Sequence, residues 1–157
     1  MKPTVYLETS IISYLAARPS KDAITAGHQL TTTEWWNIQR ANFQIVASEL
    51  VIQEASLGNA QMASKRIGIL KSMTILPVRH AARELAKDLV AANVVPEKAA
   101  ADALHIAIAA IEKIDFLATW NFKHIANAFM QGRIEEAIHQ QGFVPSKICT
   151  LEELLGE

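Results

Sequence analysis

The stretch that decides the fold is Thr4-Val5-Tyr6-Leu7-Glu8-Thr9-Ser10, close to the start of the chain. Its apolar part predicts a short buried strand. Thr9 or Ser10 can then cap a helix that ends near Pro19. Glu8 therefore lies between a buried strand and a helix, where a carboxylate is costly unless it is paired, hydrogen-bonded or bound to a metal.

Strand and helix signals alternate along the rest of the chain. Further strands are predicted at residues 44–47, 74–78, 116–119 and 147–149; helices are predicted at residues 22–41, 48–57, 59–71, 79–92 and 96–112, with short helices from Phe122 and from Ile134. Strands separated by helices indicate βα crossovers. The pattern predicts an α/β fold, with a central parallel sheet of four or five strands and helices on both faces.

Length and composition limit the function further. The 157 residues predict a single domain, residues 1–157, and the apolar half of the composition is typical of a globular protein. A net charge of −1 argues against a large, sequence-blind nucleic-acid surface, but not against a small site that holds phosphates through a metal. No apolar run reaches the ~18–20 residues of a membrane span, and no signal peptide is recognisable, so we expect a cytoplasmic protein. Cys149 is expected to be a small apolar side chain in the last strand.

Two more acidic residues stand in apolar surroundings. Glu54 follows Leu50-Val51 in a predicted helix, and Asp102 lies in the alanine-rich segment 99–107. Ligands of parallel sheets bind at the carboxyl ends of strands where the strand order changes, and Glu8 and residues 119–121 both follow predicted strand ends. Several carboxylates in one place suit a hard divalent cation. These residues predict a metal-dependent reaction on phosphate.

Four segments together resemble a PIN domain, and within that family the VapC-type toxins of bacterial toxin–antitoxin pairs: residues 5–10, 48–54, 101–107 and 117–125. The resemblance covers nearly the whole chain, with the motifs in the expected order. It implies a PIN-like three-layer sandwich and a metal-dependent ribonuclease. It also implies an RNA substrate, a small antitoxin partner and a homodimer, for which Trp35 and Trp36 are the candidate surface residues.

By the same resemblance, the catalytic residues are Glu8, Glu54, Asp102 and Asn121, and the first three are ligands of Mg²⁺ or Mn²⁺. Two positions depart from the family pattern. Glu8 stands where Asp is usual and adds one methylene. Asn121 stands where a fourth acid is usual, so the site has one negative charge fewer and weaker metal binding is expected. Asn121 also suits the start of a helix as its cap.

The residues expected at the substrate are Thr9, Ser10, Trp120, Lys123 and His124. A hydroxyl group of Thr9 or Ser10 would lie near the metal, and Lys123 or His124 would contact phosphate. Trp120 can stack a base or belong to the core.

Other interpretations of the sequence stay open. His105, three residues after Asp102, is better explained as a hydrogen-bonded core histidine than as a metal ligand. A degenerate PIN domain would bind RNA or a protein without cleaving it. A phosphatase of another α/β family is disfavoured because no Asp-x-Asp follows the first strand.

Overall fold

The fold is built on a five-stranded sheet, seen in a computed structural model that describes residues 1–156. The strands are β1 (Thr4–Leu7), β2 (Gln44–Ser48), β3 (Thr74–Leu76), β4 (Phe116–Ala118) and β5 (Lys147–Cys149). Every neighbouring pair is parallel, and the strand order is β3-β2-β1-β4-β5. The predicted α/β fold with a central parallel sheet is confirmed.

Seven α-helices connect the strands of the described chain: α1 (Thr9–Ala16), α2 (Ala23–Glu34), α3 (Glu49–Ala55), α4 (Ala60–Leu70), α5 (His80–Ala91), α6 (Ala100–Ile111) and α7 (Ala128–Gln140). A π-helical turn (Trp35–Gln39) continues α2, and 3₁₀ turns cover Arg40–Asn42, Glu97–Ala99 and Leu151–Leu154. The helices contact one another in two groups, α1 with α2 and α3–α4, and α5 with α6 and α7. Parallel connections are right-handed as a rule, so connections that run in opposite directions along this sheet assign the two groups to its two faces.

Strand β1 lies at the centre of the sheet, and its Val5, Tyr6 and Leu7 are fully buried. A strand covered on both faces is a continuous apolar run, as its sequence indicates. The chain extends from β1 to β3 on one side and continues with β4 on the other, so the strand order changes between β1 and β4. Ligands of such sheets bind at this switch point, and the residues that follow β1 and β4 meet there.

Helix α6 is largely buried and small-sided, which brings it close to the sheet. Ala103, Ala107 and Ala110 are among its buried residues. Asp102 lies in its first turn and His105 one turn further, so both lie on one face. His105 is the fully buried polar residue of this helix, and a group in that position requires hydrogen-bond partners.

The structure differs from the sequence prediction between β4 and α7. The segment after Phe122 forms turns rather than a helix, and α7 begins at Ala128 rather than at Ile134. Asn121 does accept a hydrogen bond from the His124 N–H, at 3.1 Å. The helix does not continue beyond this turn, because the Ala126 N–H donates to the Asn121 carbonyl at 2.7 Å. Asn127 then caps α7 instead.

Trp35 is wrong as a candidate for a dimer surface, because its side chain is completely buried. Trp36 is half-buried and lies beneath the Arg40 guanidinium, whose central carbon is 4.4 Å from the ring centroid.

Within residues 1–156, no helix has the length and apolar character needed to cross a membrane. The last residue of the predicted domain, Glu157, lies outside the described residues.

Candidate metal centre

Glu8 directly follows β1 and occupies the position before the first turn of α1. Its backbone N–H donates to the Ala118 carbonyl of β4 at 3.1 Å, which fixes it at the switch point. Its side chain is only 6% exposed. Oε1 accepts hydrogen bonds from the hydroxyls of Ser10, at 2.5 Å, and of Thr119, at 2.6 Å. These two bonds offset the cost of burying a carboxylate and fix the orientation of its second oxygen.

Glu54 projects from α3 into the same region. Its Oε1 accepts a hydrogen bond from the Thr9 hydroxyl at 2.6 Å and one from His105 Nε2 at 2.5 Å. Partial burial tends to raise the pKa of Glu54, but the hydrogen bond and charge of His105, with the Thr9 hydrogen bond, outweigh burial and lower it. The side chain is therefore an ionised carboxylate in the neutral range of pH.

A buried chain of hydrogen bonds supports Glu54 from behind. Because a carboxylate can only accept, Nε2 of His105 carries the proton in their contact. Nδ1 of His105 lies 2.7 Å from the Tyr6 hydroxyl, which in turn lies 2.7 Å from Oγ of Ser48. Ser48 also caps α3, as the sequence predicts, by accepting from the Val51 N–H at 3.2 Å. The cap of the helix and its carboxylate thus belong to one network.

Asp102 and Asn121 form a second part of the site. Burial raises the pKa of Asp102, the Asn121 side chain lowers it by hydrogen bonding, and the negative charge of Glu8 raises it, with an upward net shift. Only the amide NH₂ of Asn121 can donate to a carboxylate, and its oxygen is already engaged by the His124 N–H. Asn121 therefore turns its donor, not its oxygen, towards Asp102.

Glu8, Glu54 and His105 bring one potential ligand atom each to within 4.8 Å of one another. Both ring nitrogens of His105 already contact protein oxygens, so the imidazole acts as support for Glu54. For residues 1–156 the hydrogen bonds of Glu8 and Glu54 fall on Oε1. The two Oε2 atoms fit the oxygen donors that Mg²⁺ or Mn²⁺ prefers.

The predicted roles of Thr9 and Ser10 as helix caps are wrong. Both lie inside the first turn of α1, which has no side-chain cap. Their hydroxyls donate instead to the two glutamates, Thr9 to Glu54 and Ser10 to Glu8. Adjacent residues on one turn thereby hold one carboxylate each.

Trp120 is 5% exposed, and its ring stacks on His28 with centroids 4.2 Å apart. Its backbone N–H donates to Oγ of Ser10, at 2.9 Å. Tyr14 also stacks on Trp120, with centroids 6.4 Å apart, so a base could stack on this ring only by displacing a neighbouring ring. Lys123 is exposed and His124 half-buried in the turn that follows Asn121.

Sequence reasoning missed several supporting residues. Thr119 is fully buried and donates to Glu8; its signal was a hydroxyl at the end of a predicted strand. Tyr6 reads as an ordinary apolar strand residue, and nothing in the sequence links it to His105. His28 lies on a helix that carries none of the predicted site residues.

The overall fold is similar to solved toxin structures. One is VapC20 from Mycobacterium tuberculosis, a sarcin–ricin loop cleaving toxin, with 15% identity, a TM-score of 0.58, and coverage of 76% of this chain and 92% of that one. Another is VapBC2 from Rickettsia felis bound to a promoter DNA fragment, with 18% identity, a TM-score of 0.55, and coverage of 76% and 89%. At these identities the likeness concerns the fold.

Curated protein sequences gave no match. The sequence model of the PIN domain matches residues 5–128. This range includes β1 to β4 and every residue of the candidate metal centre. The chain belongs to the PIN domain family.

Proposed function

We propose that this protein is a divalent-metal-dependent ribonuclease of the VapC toxin type, with Glu8, Glu54, Asp102 and Asn121 as its catalytic residues. The observation that carries the proposal is the approach of Glu8 and Glu54 at the switch point, with ligand atoms within 4.8 Å. Carboxylates this close repel one another, and a shared cation removes the repulsion. The fold similarity to a toxin that cleaves the sarcin–ricin loop supports RNA as the substrate.

In the proposed reaction, the metal and the residues around it have separate roles. When bound, Mg²⁺ or Mn²⁺ acidifies a coordinated water and neutralises charge on the phosphate. Glu8, Glu54 and Asp102 hold the ion through carboxylate oxygens, and Glu54 or Asp102 also orients the attacking water. Thr9, Ser10 and Thr119 hold two of these carboxylates in place, which lowers the cost of assembling the site.

Lys123 and His124, which follow Asn121 closely in the chain, are suited to bind the phosphate backbone of the substrate. Lys123 is exposed and carries a positive charge, and His124 lies next to it in the same turn. A cation near the acidic centre can contact a phosphate that flanks the one being cleaved.

A second candidate function is binding of RNA or protein without cleavage. The specific observation in its favour is the orientation of Asn121, whose oxygen accepts from the His124 N–H at 3.1 Å rather than facing the carboxylates. In this alternative, the site lacks its fourth acid, and the protein retains the PIN fold but not the cleavage activity.

Cleavage of RNA with Mn²⁺ or Mg²⁺ separates the two functions. We expect metal-dependent cleavage by the wild type, and a loss of at least about 100-fold in Glu8→Gln and Glu54→Gln, the size typical of removing one charge-stabilising group. Glu49→Gln is the matched control, since Glu49 lies on the same helix but is exposed. Hydrolysis of a small phosphate ester tests for a phosphatase. RNA binding without any cleavage by the wild type supports the second function.

The remaining expectations belong to the same proposal. The chain forms one PIN-like domain over residues 1–157, works in the cytoplasm, and is inhibited by a small antitoxin protein; the VapBC2 structure on promoter DNA supports such a partner. The protein is a homodimer, and the exposed apolar residues Ile24 and Leu30 of α2 and Ile38 of the π-helical turn are candidates for its interface. Light scattering of the purified protein, alone and with the product of a neighbouring reading frame, tests both assemblies.

A further inference from the structure

A cluster of aromatic rings lies beside the acidic residues. Trp120 stacks on His28, with centroids 4.2 Å apart and planes 14° apart. Phe122 tilts against both rings, with centroids 5.5 Å from His28 and 6.1 Å from Trp120. The Trp120 Nε1–H donates to Thr32 Oγ1 at 2.8 Å, so the buried centre of the cluster is held in one orientation.

The outer edge of this cluster is open to solvent. Phe122 is 48% exposed and His28 is half-buried, while Trp120 beneath them is buried. An isolated exposed phenylalanine needs no explanation. Here, however, the exposed ring rests on two others, so it is supported from one side and presents its remaining surface outwards.

The backbone that carries Phe122 is fixed at both ends of its turn. The Asn121 N–H donates to Thr119 Oγ1 at 2.9 Å, and the Ala126 N–H donates to the Asn121 carbonyl at 2.7 Å. A ring held in this way loses little conformational freedom when a ligand stacks on it.

The cluster is connected directly to the candidate metal centre. The Trp120 N–H donates to Ser10 Oγ, which itself donates to Glu8. The Asn121 side chain is near enough to Asp102 to lower its pKa, and Phe122 is the next residue, about 3.8 Å further along the Cα trace. Lys123 then adds an exposed positive charge. The aromatic surface and the cation therefore directly follow Asn121, the residue next to Trp120, whose N–H reaches the Ser10–Glu8 pair.

Building on the ribonuclease function above, we propose that Phe122 and His28 form a stacking platform for one unpaired nucleobase of the RNA, next to the phosphate that is cleaved. Unstacked bases in single strands and loops are recognised by aromatic and histidine side chains, whereas a paired base in a helix does not expose its face. Stacking is tolerant of base identity, because every base has a π-face. The substrate class is thus single-stranded RNA or a loop with an extruded base.

The test is binding of a short single-stranded RNA in Ca²⁺, followed by fluorescence anisotropy. Calcium replaces magnesium in this experiment so that binding can be measured apart from cleavage. It takes the same oxygen ligands as magnesium, but with longer and looser coordination. We expect Phe122→Ala to weaken binding about 5- to 100-fold, the range for loss of one stacked base. Phe122→Trp restores it.

The matched control is Phe129→Ala, since Phe129 is 94% exposed and contributes no ring to the cluster. It should bind RNA as the wild type does. An RNA with one abasic nucleotide should bind the wild type more weakly than the intact RNA does. Phe122→Ala should bind the abasic and the intact RNA with the same affinity. Thermal melting checks that each variant is folded.

The outcomes separate this proposal from the ribonuclease function. Equal binding by Phe122→Ala and Phe129→Ala, or no RNA binding by the wild type, overturns the platform, and in the second case a protein ligand for this surface gains support. Weakened binding by Phe122→Ala without any cleavage in Mn²⁺ keeps the platform and overturns the ribonuclease. Cleavage that is unaffected in Phe122→Ala, with unchanged binding, does the reverse.

Discussion

Glu54 and His105 share a hydrogen bond of 2.5 Å between Oε1 and Nε2, although α3 and α6 lie far apart in the sequence. The fully buried imidazole fixes the carboxylate from the protein side through Oε1, which also accepts from the Thr9 hydroxyl, and leaves Oε2 without a hydrogen bond among the described residues. In the proposed metal site, His105 would hold the ligand Glu54 in place without binding the ion itself, as residues that hydrogen-bond to metal ligands commonly do.

Tyr6→Phe should reduce stability and metal binding together. The change leaves Nδ1 of His105 and the hydroxyl of Ser48 without their shared partner in a buried place. An unsatisfied buried polar group costs about 1–3 kcal/mol. Urea unfolding measures the loss, and Mn²⁺ titration by calorimetry should show weaker binding.

Tyr14→Phe provides the control for that experiment, because Tyr14 is only partly buried and packs on Trp120 through its ring. It should leave both quantities within about 0.5 kcal/mol of the wild type, as surface substitutions usually do. If Tyr6→Phe were equally mild, the network behind Glu54 would have no energetic role.

Stability should fall in acid partly because of Glu54. Burial acts to raise its pKa, but the contacts with His105 and Thr9 lower it overall. A carboxyl with a lowered pKa in the folded state contributes stability above its unfolded pKa, and this is lost as pH falls through the folded value. Glu54→Gln should therefore flatten the acid side of a plot of unfolding free energy against pH. An unchanged slope below about pH 5, where unfolded glutamate begins to take up protons, would contradict this.

Asp102→Asn should raise the melting temperature of the metal-free protein while removing activity. Burial and the charge of Glu8 raise the pKa of Asp102, so keeping this carboxylate ionised in the fold reduces stability. The amide has no charge to bury. Melting of both proteins in EDTA and RNA cleavage in Mn²⁺ measure the two effects; a variant that melts lower and still cleaves would argue against a role in the site.

Asn121→Asp should lower the stability of the metal-free protein and increase the response to metal. The new carboxylate would lie near Asp102, whose pKa the Asn121 amide now acts to lower, so two like charges would repel until a cation arrives. At an effective dielectric near 20 and a separation of roughly 4–5 Å, the attraction of a divalent ion amounts to several kcal/mol before desolvation. A net gain of about 1–2 kcal/mol corresponds to roughly 5- to 30-fold tighter binding.

Calorimetric titration of Mn²⁺ into both proteins tests this directly. Unchanged affinity would remove residue 121 from the metal centre. It would leave Asn121 with its observed role of capping the turn to His124, which Asp can also perform.

Cys149 should react slowly with thiol reagents in the folded protein. Burial, followed by the charge of Glu153, raises its pKa to about 12, and the thiolate is the reactive form. Ellman's reagent at pH 8 should label the unfolded protein in seconds to minutes and the native protein only at the rate of opening. Rapid labelling of the native state would show that β5 separates readily from the sheet.

The fold could be predicted because its signals are local. The apolar runs of β1 and β4 and the helices between strands each occupy contiguous residues, and parallel connections follow from their alternation. The prediction of a helix after Phe122 was wrong because the capping bond of Asn121 is equally compatible with a turn. Local signals alone cannot choose between those two continuations.

The site was less accessible to sequence reasoning, because its energetics depend on contacts between distant residues. A buried histidine on an alanine-rich helix predicts hydrogen-bond partners, but not which ones. Tyr6 and Glu54 become its partners only when β1, α3 and α6 are assembled. The burial of Trp35 could not be predicted from the local sequence either, because it depends on how the π-helical turn packs against the core.

The bond between Thr119 and Glu8 has a consequence for synthesis of the protein. The two residues are 111 positions apart, and the central strand cannot receive its second neighbour until β4 has been translated. A growing chain therefore carries Glu8 and Glu54 long before either can be placed for chemistry. An unfinished chain that lacks Thr119 therefore cannot complete the candidate metal centre, and any reaction proposed for this centre requires a chain that extends past residue 119.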